Sequence, residues 1–168
     1  MIASGEKTIE VRKNRPKLDT PFKCYIYCTR DKHLAFMQNQ TGTNLIACMD
    51  VETAIPVGGS VGNGKIIGEF ICDRISLIAY DGGELSSTTN AAFSPATCLS
   101  QTEIIAYIGD KGRCYGWHIN DLRIYDTPRE LGEFTGLRDT RFGAEPYDIK
   151  RPPQSWCYVD GGKEGWAV

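Results

Sequence analysis

The chain has 168 residues, 41% of them hydrophobic and 24% charged, the profile of a globular protein long enough to bury a real core. Its net charge of −2 excludes a global field that would draw in a polyanion. No apolar run approaches the eighteen or so residues that a membrane-spanning helix needs, so no membrane partner is expected. The 18 glycines, and the Val, Ile, Tyr, Thr and Phe that fill the apolar runs, favour strands and turns over a helical bundle.

The first predicted strand covers residues 7–12, where Ile9 and Val11 share one face and Thr8, Glu10 and Arg12 the other. Pro16 and Pro21 bracket a turn, and residues 24–29 (CYIYCT) form a second strand. Residues 30–63 read as an insertion rich in loop formers, with a short helical stretch around Leu34–Met37 as its one regular element. Residues 65–72 (KIIGEFIC) are a strand, and Gly68 inside it predicts a bulge or a close backbone approach. Residues 74–80 continue that strand or pair with it, and a Ser/Thr/Asn/Pro-rich loop follows from Gly82 to Thr97.

One helix has a visible start and stop. Ser100 and Glu103 form a capping box ahead of Ile104, Ile105, Tyr107 and Ile108, and Gly109 ends the run. Residues 115–119 and 122–125 then read as two strands, and 128–131 as one helical turn. After a charged loop, residues 153–159 make the last strand.

Charge is unevenly distributed. Between Lys7 and Lys23 six basic residues face two acidic ones, a local +4 that leaves −6 for the rest of the chain. By itself this charge pattern reads as a solvated basic turn in preference to a binding surface. The seven cysteines are odd in number and scattered, and no signal peptide precedes them, so reduced thiols in the cytoplasm are expected. Cys24 and Cys28 would lie about 13 Å apart in a strand, too far to share one ion. Neither a metal nor another cofactor is expected. His118, flanked by Trp117 and Ile119 in a strand, reads as a general base or as a hydrogen-bonded structural histidine. No P-loop, dinucleotide fingerprint or nucleophile elbow occurs.

Gly5, Lys7, Glu10 and Arg12 place a turn, an ammonium, a carboxylate and a guanidinium within one short segment. Such a set grips a phosphate or a base edge, does acid–base work if buried, or makes ordinary surface ion pairs. Because Lys7 shares parity with Ile9 and Val11, it can join Glu10 only from the mouth of the strand.

Taken in order, GEKTIEVRK (5–13), YIYCT (25–29), GKIIGEFICD (64–73), YGWHI (115–119) and PQSWCYV (153–159) resemble the ASCH domain family. The G-x-K-x-x-E-x-R pattern at Gly5, Lys7, Glu10 and Arg12 matches the family signature. A strand and a helix precede that signature in the family, whereas four residues precede it here, as expected of a truncated chain, a differently assigned start or a cleft that lacks one wall. The resemblance implies a single α+β domain over 1–168 with insertions at about 30–63 and 82–99. Its fold would be a PUA-like β-barrel of five to seven mostly antiparallel strands with one or two short helices.

The function it implies is binding of RNA or a nucleotide-like ligand in a charged cleft. Lys7, the one catalytic candidate carried over from the family, would line that cleft with Gly5, Glu10 and Arg12. On that reading Arg12 and Lys13 would contact phosphate while a Tyr or Trp stacks on a base, and Tyr27, Ser155 and Trp156 are added here as cleft candidates. A hydrolase is the alternative, acting on an acylated cytidine or on RNA, with Lys7 as the activating group and Glu10 or Glu69 relaying protons. In amidohydrolase relatives the position of Glu10 can hold a hydroxyl residue. A third reading is a protein-interaction module docking through 30–63.

Overall fold

The computed structural model describes residues 2–31, 34–38, 44–48, 60–88, 93–161 and 166–167. The chain is α+β, with mostly antiparallel strands and a few short helices. It divides into two compact units, each drawn from two stretches of sequence: Met1–Phe22 with Ile71–Leu122, and Lys23–Phe70 with Arg123–Val168.

In the first unit, β1 (Ile9–Arg12) pairs antiparallel with the start of β8 (Arg113–Glu130). β8 lies beside β6 (Lys65–Tyr80), which in turn pairs with the short β7 (Leu85–Ser87). Alternation along β1 buries Ile9 and Val11, and β1 is half-exposed at Glu10 and Arg12. The two helices are α1 (Phe93–Thr97) and α2 (Gln101–Ile108). Ser100 caps α2: its side chain accepts from the Glu103 amide at 3.2 Å, and Glu103 accepts from the Ser100 amide at 2.8 Å. The apolar face of α2 buries Ile104 and Ile108 against Val11, Ile78 and Cys114.

In the second unit the strand order is β8, β6, β2 (Phe22–Tyr27), β12 (Trp166–Ala167), β11 (Tyr158–Val159), β9 (Thr135–Thr140), β10 (Gly143–Asp148). Only β2 and β12 pair in parallel among the registers described. A separate three-stranded sheet has the order β4 (Asn44–Cys48), β3 (Leu34–Gln38), β5 (Ser60–Val61). The core comprises Ile66, Leu131, Phe134, Ile149 and Val159. Tyr25 meets the Phe134 ring edge-on at 4.7 Å, and the Arg129 guanidinium lies 4.5 Å from its centroid.

Several sequence expectations need correction. Residues around Leu34–Met37 are strand, because β3 finds a ladder partner in β4 and that pairing outweighs the helix preference of Leu, Ala and Met. The stretch read as a charged loop after residue 131 contains the β9–β10 hairpin. The turn placed at 128–131 begins instead at Leu131, as a 3-10 turn over Leu131–Glu133, with β8 continuing to Glu130. The two strands read at 115–125 are one strand, whose break is absorbed by Asp121 at φ 47°. Only Tyr158–Val159 of the last predicted strand pairs.

Twelve strands are described where five to seven were expected, the extra ones lying in segments with loop-like composition. Closure into a barrel needs a ladder between end strands; the order of described strands in each unit is open at both ends. Gly68 meets its expectation as a close approach: a Cβ there would lie 2.5 Å from the Arg123 carbonyl oxygen. Among the described residues no helix is long and apolar enough to cross a membrane.

Candidate functional site

The approach to β1 is shaped by a turn. Gly5 adopts φ 75°, a left-handed conformation suited to glycine, and its amide donates to the Ile2 carbonyl at 2.9 Å. Thr8 then donates to the Ala96 carbonyl at 2.8 Å and accepts from the Ile119 amide at 2.9 Å. The strand itself begins at Ile9, so Lys7 lies in the irregular segment before it and is released from strand parity. Its Nζ reaches Glu10 Oε2 at 2.6 Å, with both side chains 14% exposed. From the other side Arg12 Nη2 meets Glu10 Oε1 at 3.2 Å.

The amine, the carboxylate and the guanidinium therefore converge, with Glu10 between the two cations. The register places Trp117 opposite Glu10 and Tyr115 opposite Arg12, so these aromatics share the face of the ion-paired residues. An ammonium has three donors and a carboxylate about four acceptor positions. One contact from Lys7 and two to Glu10 leave capacity for a polar ligand.

Lys13, next along the chain, is exposed and lies 5.0 Å from the Tyr107 ring centroid. Beyond it the turn after β1 meets the 3-10 turn Gly109–Lys111 that leads into β8. Together they form a hollow of about 410 Å³ lined by Lys13, Asn14, Arg15, Lys111, Arg113 and Tyr115. Lys111 donates to Asn14 Oδ1 at 3.4 Å, tying the two turns together. Sequence reading counted Arg15 only as part of a basic stretch and passed over Lys111 and Arg113. Their signal was a KGR run directly after the helix stop, which means little until the β1–β8 ladder brings it beside Lys13.

His118 does not form the base of a serine nucleophile. Arg74 Nη2, which can only donate, meets His118 Nδ1 at 3.2 Å, so a neutral ring carries its proton on Nε2. That nitrogen faces Ser76 Oγ at 2.5 Å, and the hydroxyl accepts from it. Burial lowers the His118 pKa from its ordinary value, as does the charge of Arg74, with Asp73 opposing them. The pair is thereby set as a neutral, structural hydrogen bond on a buried serine.

The remaining candidates belong to the second unit. Glu69 accepts from Tyr125 Oη at 2.6 Å and from Lys23 Nζ at 3.2 Å. Burial alone would raise its pKa; the two hydrogen bonds and the charges of Lys23 and Arg123 outweigh that and leave it below the ordinary value. Tyr125 is raised, by burial first and then by the carboxylate it faces. Tyr27 is half-buried against the Ile66–Val159 core. Ser155 is exposed, and Trp156 packs edge-on against Tyr158 at 5.0 Å.

Compared with known proteins, the chain matches no family model, and neither the curated proteins nor the solved structures give a significant match.

Proposed function

We propose that the chain is an ASCH-type, PUA-like domain that binds RNA or a nucleotide-like ligand through the face of β1. The reading is carried by one observation: Lys7 and Arg12 close on Glu10 from opposite sides. The arrangement offers donors to phosphate or to base acceptors and an acceptor to base amino groups, beside the half-buried ring of Tyr115, which is able to stack, while Trp117 is buried against Phe22. The signature resemblance at Gly5, Lys7, Glu10 and Arg12 supports the same reading.

A titration of fluorescent single-stranded and hairpin RNAs, followed by anisotropy at 50 and 200 mM salt, tests it. Binding is expected to weaken as salt rises and to weaken further in Lys7→Ala. Absence of salt-sensitive affinity for every RNA tried would overturn the reading. A hydrolase would use the same residues with Lys7 activating water. Here the lysine is engaged by a carboxylate at 2.6 Å, an ion pair rather than an amine facing open space, which favours gripping over proton abstraction. Turnover of acylated cytidines by wild type and not by a folded Lys7→Ala variant would reverse that preference.

A further inference from the structure

The hollow beside β1 concentrates charge of one sign. Lys13, Arg15, Lys111 and Arg113 line it, and no carboxylate does. Each of these four side chains is exposed, and among the described residues none is ion-paired with an acid. Four like charges around one concavity repel one another and raise the local potential, and a bound anion relieves both.

The cations come from two separate turns, and the fold brings them together. Register pairs Arg12 with Tyr115, so the residues following β1 emerge beside those that begin β8. Gly112 at φ 63° reverses the chain between Lys111 and Arg113. Two guanidiniums supply planar forks for paired oxygens, and two ammoniums supply point charges. Half-buried Tyr115 adds a ring at the same wall, on the strand face that also carries Arg12. The volume, about 410 Å³, falls in the range of small-ligand sites.

We propose that this hollow is a phosphate-binding site formed by Lys13, Arg15, Lys111 and Arg113, with Tyr115 as a stacking surface for an attached base. Resting on the RNA-binding reading above, it takes a backbone phosphate of the RNA whose neighbouring nucleotide lies along β1. A free phosphate compound presents the same oxygens and is the other source that the test must separate.

The experiment compares Lys111→Ala/Arg113→Ala with Lys150→Ala/Arg151→Ala, an equal charge change at a hollow in the second unit. Each protein, checked for folding by circular dichroism, is titrated with a labelled ten-nucleotide single-stranded RNA over a salt series. The amides of Lys111, Gly112 and Arg113 are followed by NMR as inorganic phosphate is added. The first variant is expected to lose about tenfold in RNA affinity at 50 mM salt and to flatten the dependence of log affinity on log salt by about 1.4, the second to keep the wild-type slope.

Equal losses in both variants would mean a diffuse charge effect and overturn the site. If phosphate shifts the three amides while RNA binds wild type and the first variant alike, the phosphate site stands and its RNA source is overturned. Should phosphate shift the amides while wild type binds no RNA at all, the RNA reading fails and the site stands as one for free phosphate compounds. No amide shift and no change in RNA affinity would remove the proposal entirely.

Discussion

Two glutamates, Glu10 in the first unit and Glu69 in the second, sit on strands with a lysine in contact, yet their surroundings differ. Glu10 is flanked by two cations, Lys7 and Arg12, and the same strand runs into a hollow lined by four more. Glu69 accepts hydrogen bonds from Lys23 and from the Tyr125 hydroxyl, with the charge of Arg123 acting on it as well. The four cations of the hollow, none ion-paired with an acid among the described residues, leave a field for a ligand. The hydrogen bonds of Glu69 instead tie β6 to β2 and to β8.

The largest effect that sharpens this contrast is expected at Glu69. Replacing it with Gln removes a charged acceptor from both Tyr125 and Lys23 and should cost about 2–3 kcal/mol of stability, with RNA affinity unchanged. Urea unfolding and anisotropy measure the two sides, and a loss of RNA affinity at unchanged stability would break the distinction. Arg12→Ala should do the reverse, weakening RNA binding by about 1–2 kcal/mol while the urea midpoint moves little.

A smaller effect is expected for Tyr125→Phe, which deletes one hydrogen bond to a carboxylate and should cost about 1 kcal/mol at neutral pH. Because the native Glu69 pKa is depressed, its stabilising contribution is present above the unfolded value, about 4.3, and is lost as pH falls through the folded one. Without Tyr125 the folded value rises towards the ordinary one. Acid unfolding should then begin at a higher pH, which a circular dichroism titration would detect.

His118 gives the smallest effect. Its folded pKa is lowered, so the unfolded chain takes up the proton first on acidification through about 6.5. Stability is therefore expected to fall by some tenths of a kcal/mol between pH 7.5 and 6, and this slope should flatten in His118→Gln. An unchanged slope in the variant would show that the Ser76–His118 bond does not keep the ring neutral.

Local signals were readable where one segment carried the whole cause. The start of α2 at Ser100 and its end at Gly109 rest on side chains within a turn of the helix end, and the structure has both. The alternation that buries Ile9 and Val11 was equally plain. Segments whose structure depends on a distant partner were not readable. Residues 34–38 and 44–48 pair with each other, and the β9–β10 hairpin forms from charged, turn-rich sequence, because ladder hydrogen bonds depend on the backbone more than on an apolar stripe. The break inferred near Asp121 likewise vanished, since β8 runs on past residues that look like turn formers, and of the two readings left open for 74–80 the structure has continuation of β6.

The sequence by itself determined the residue types of the β1 segment, the helix caps and the alternation of its strand, all of which act over a few neighbouring positions. Tertiary structure alone decided that Lys7 reaches Glu10 against strand parity, that Lys111 and Arg113 join Lys13 and Arg15, and that Glu69 meets Lys23 and Tyr125. Each of these depends on a turn or a strand register. A one-residue slip in register turns a side chain to the opposite face, and no local pattern in the chain encodes which distant residue will stand across from it.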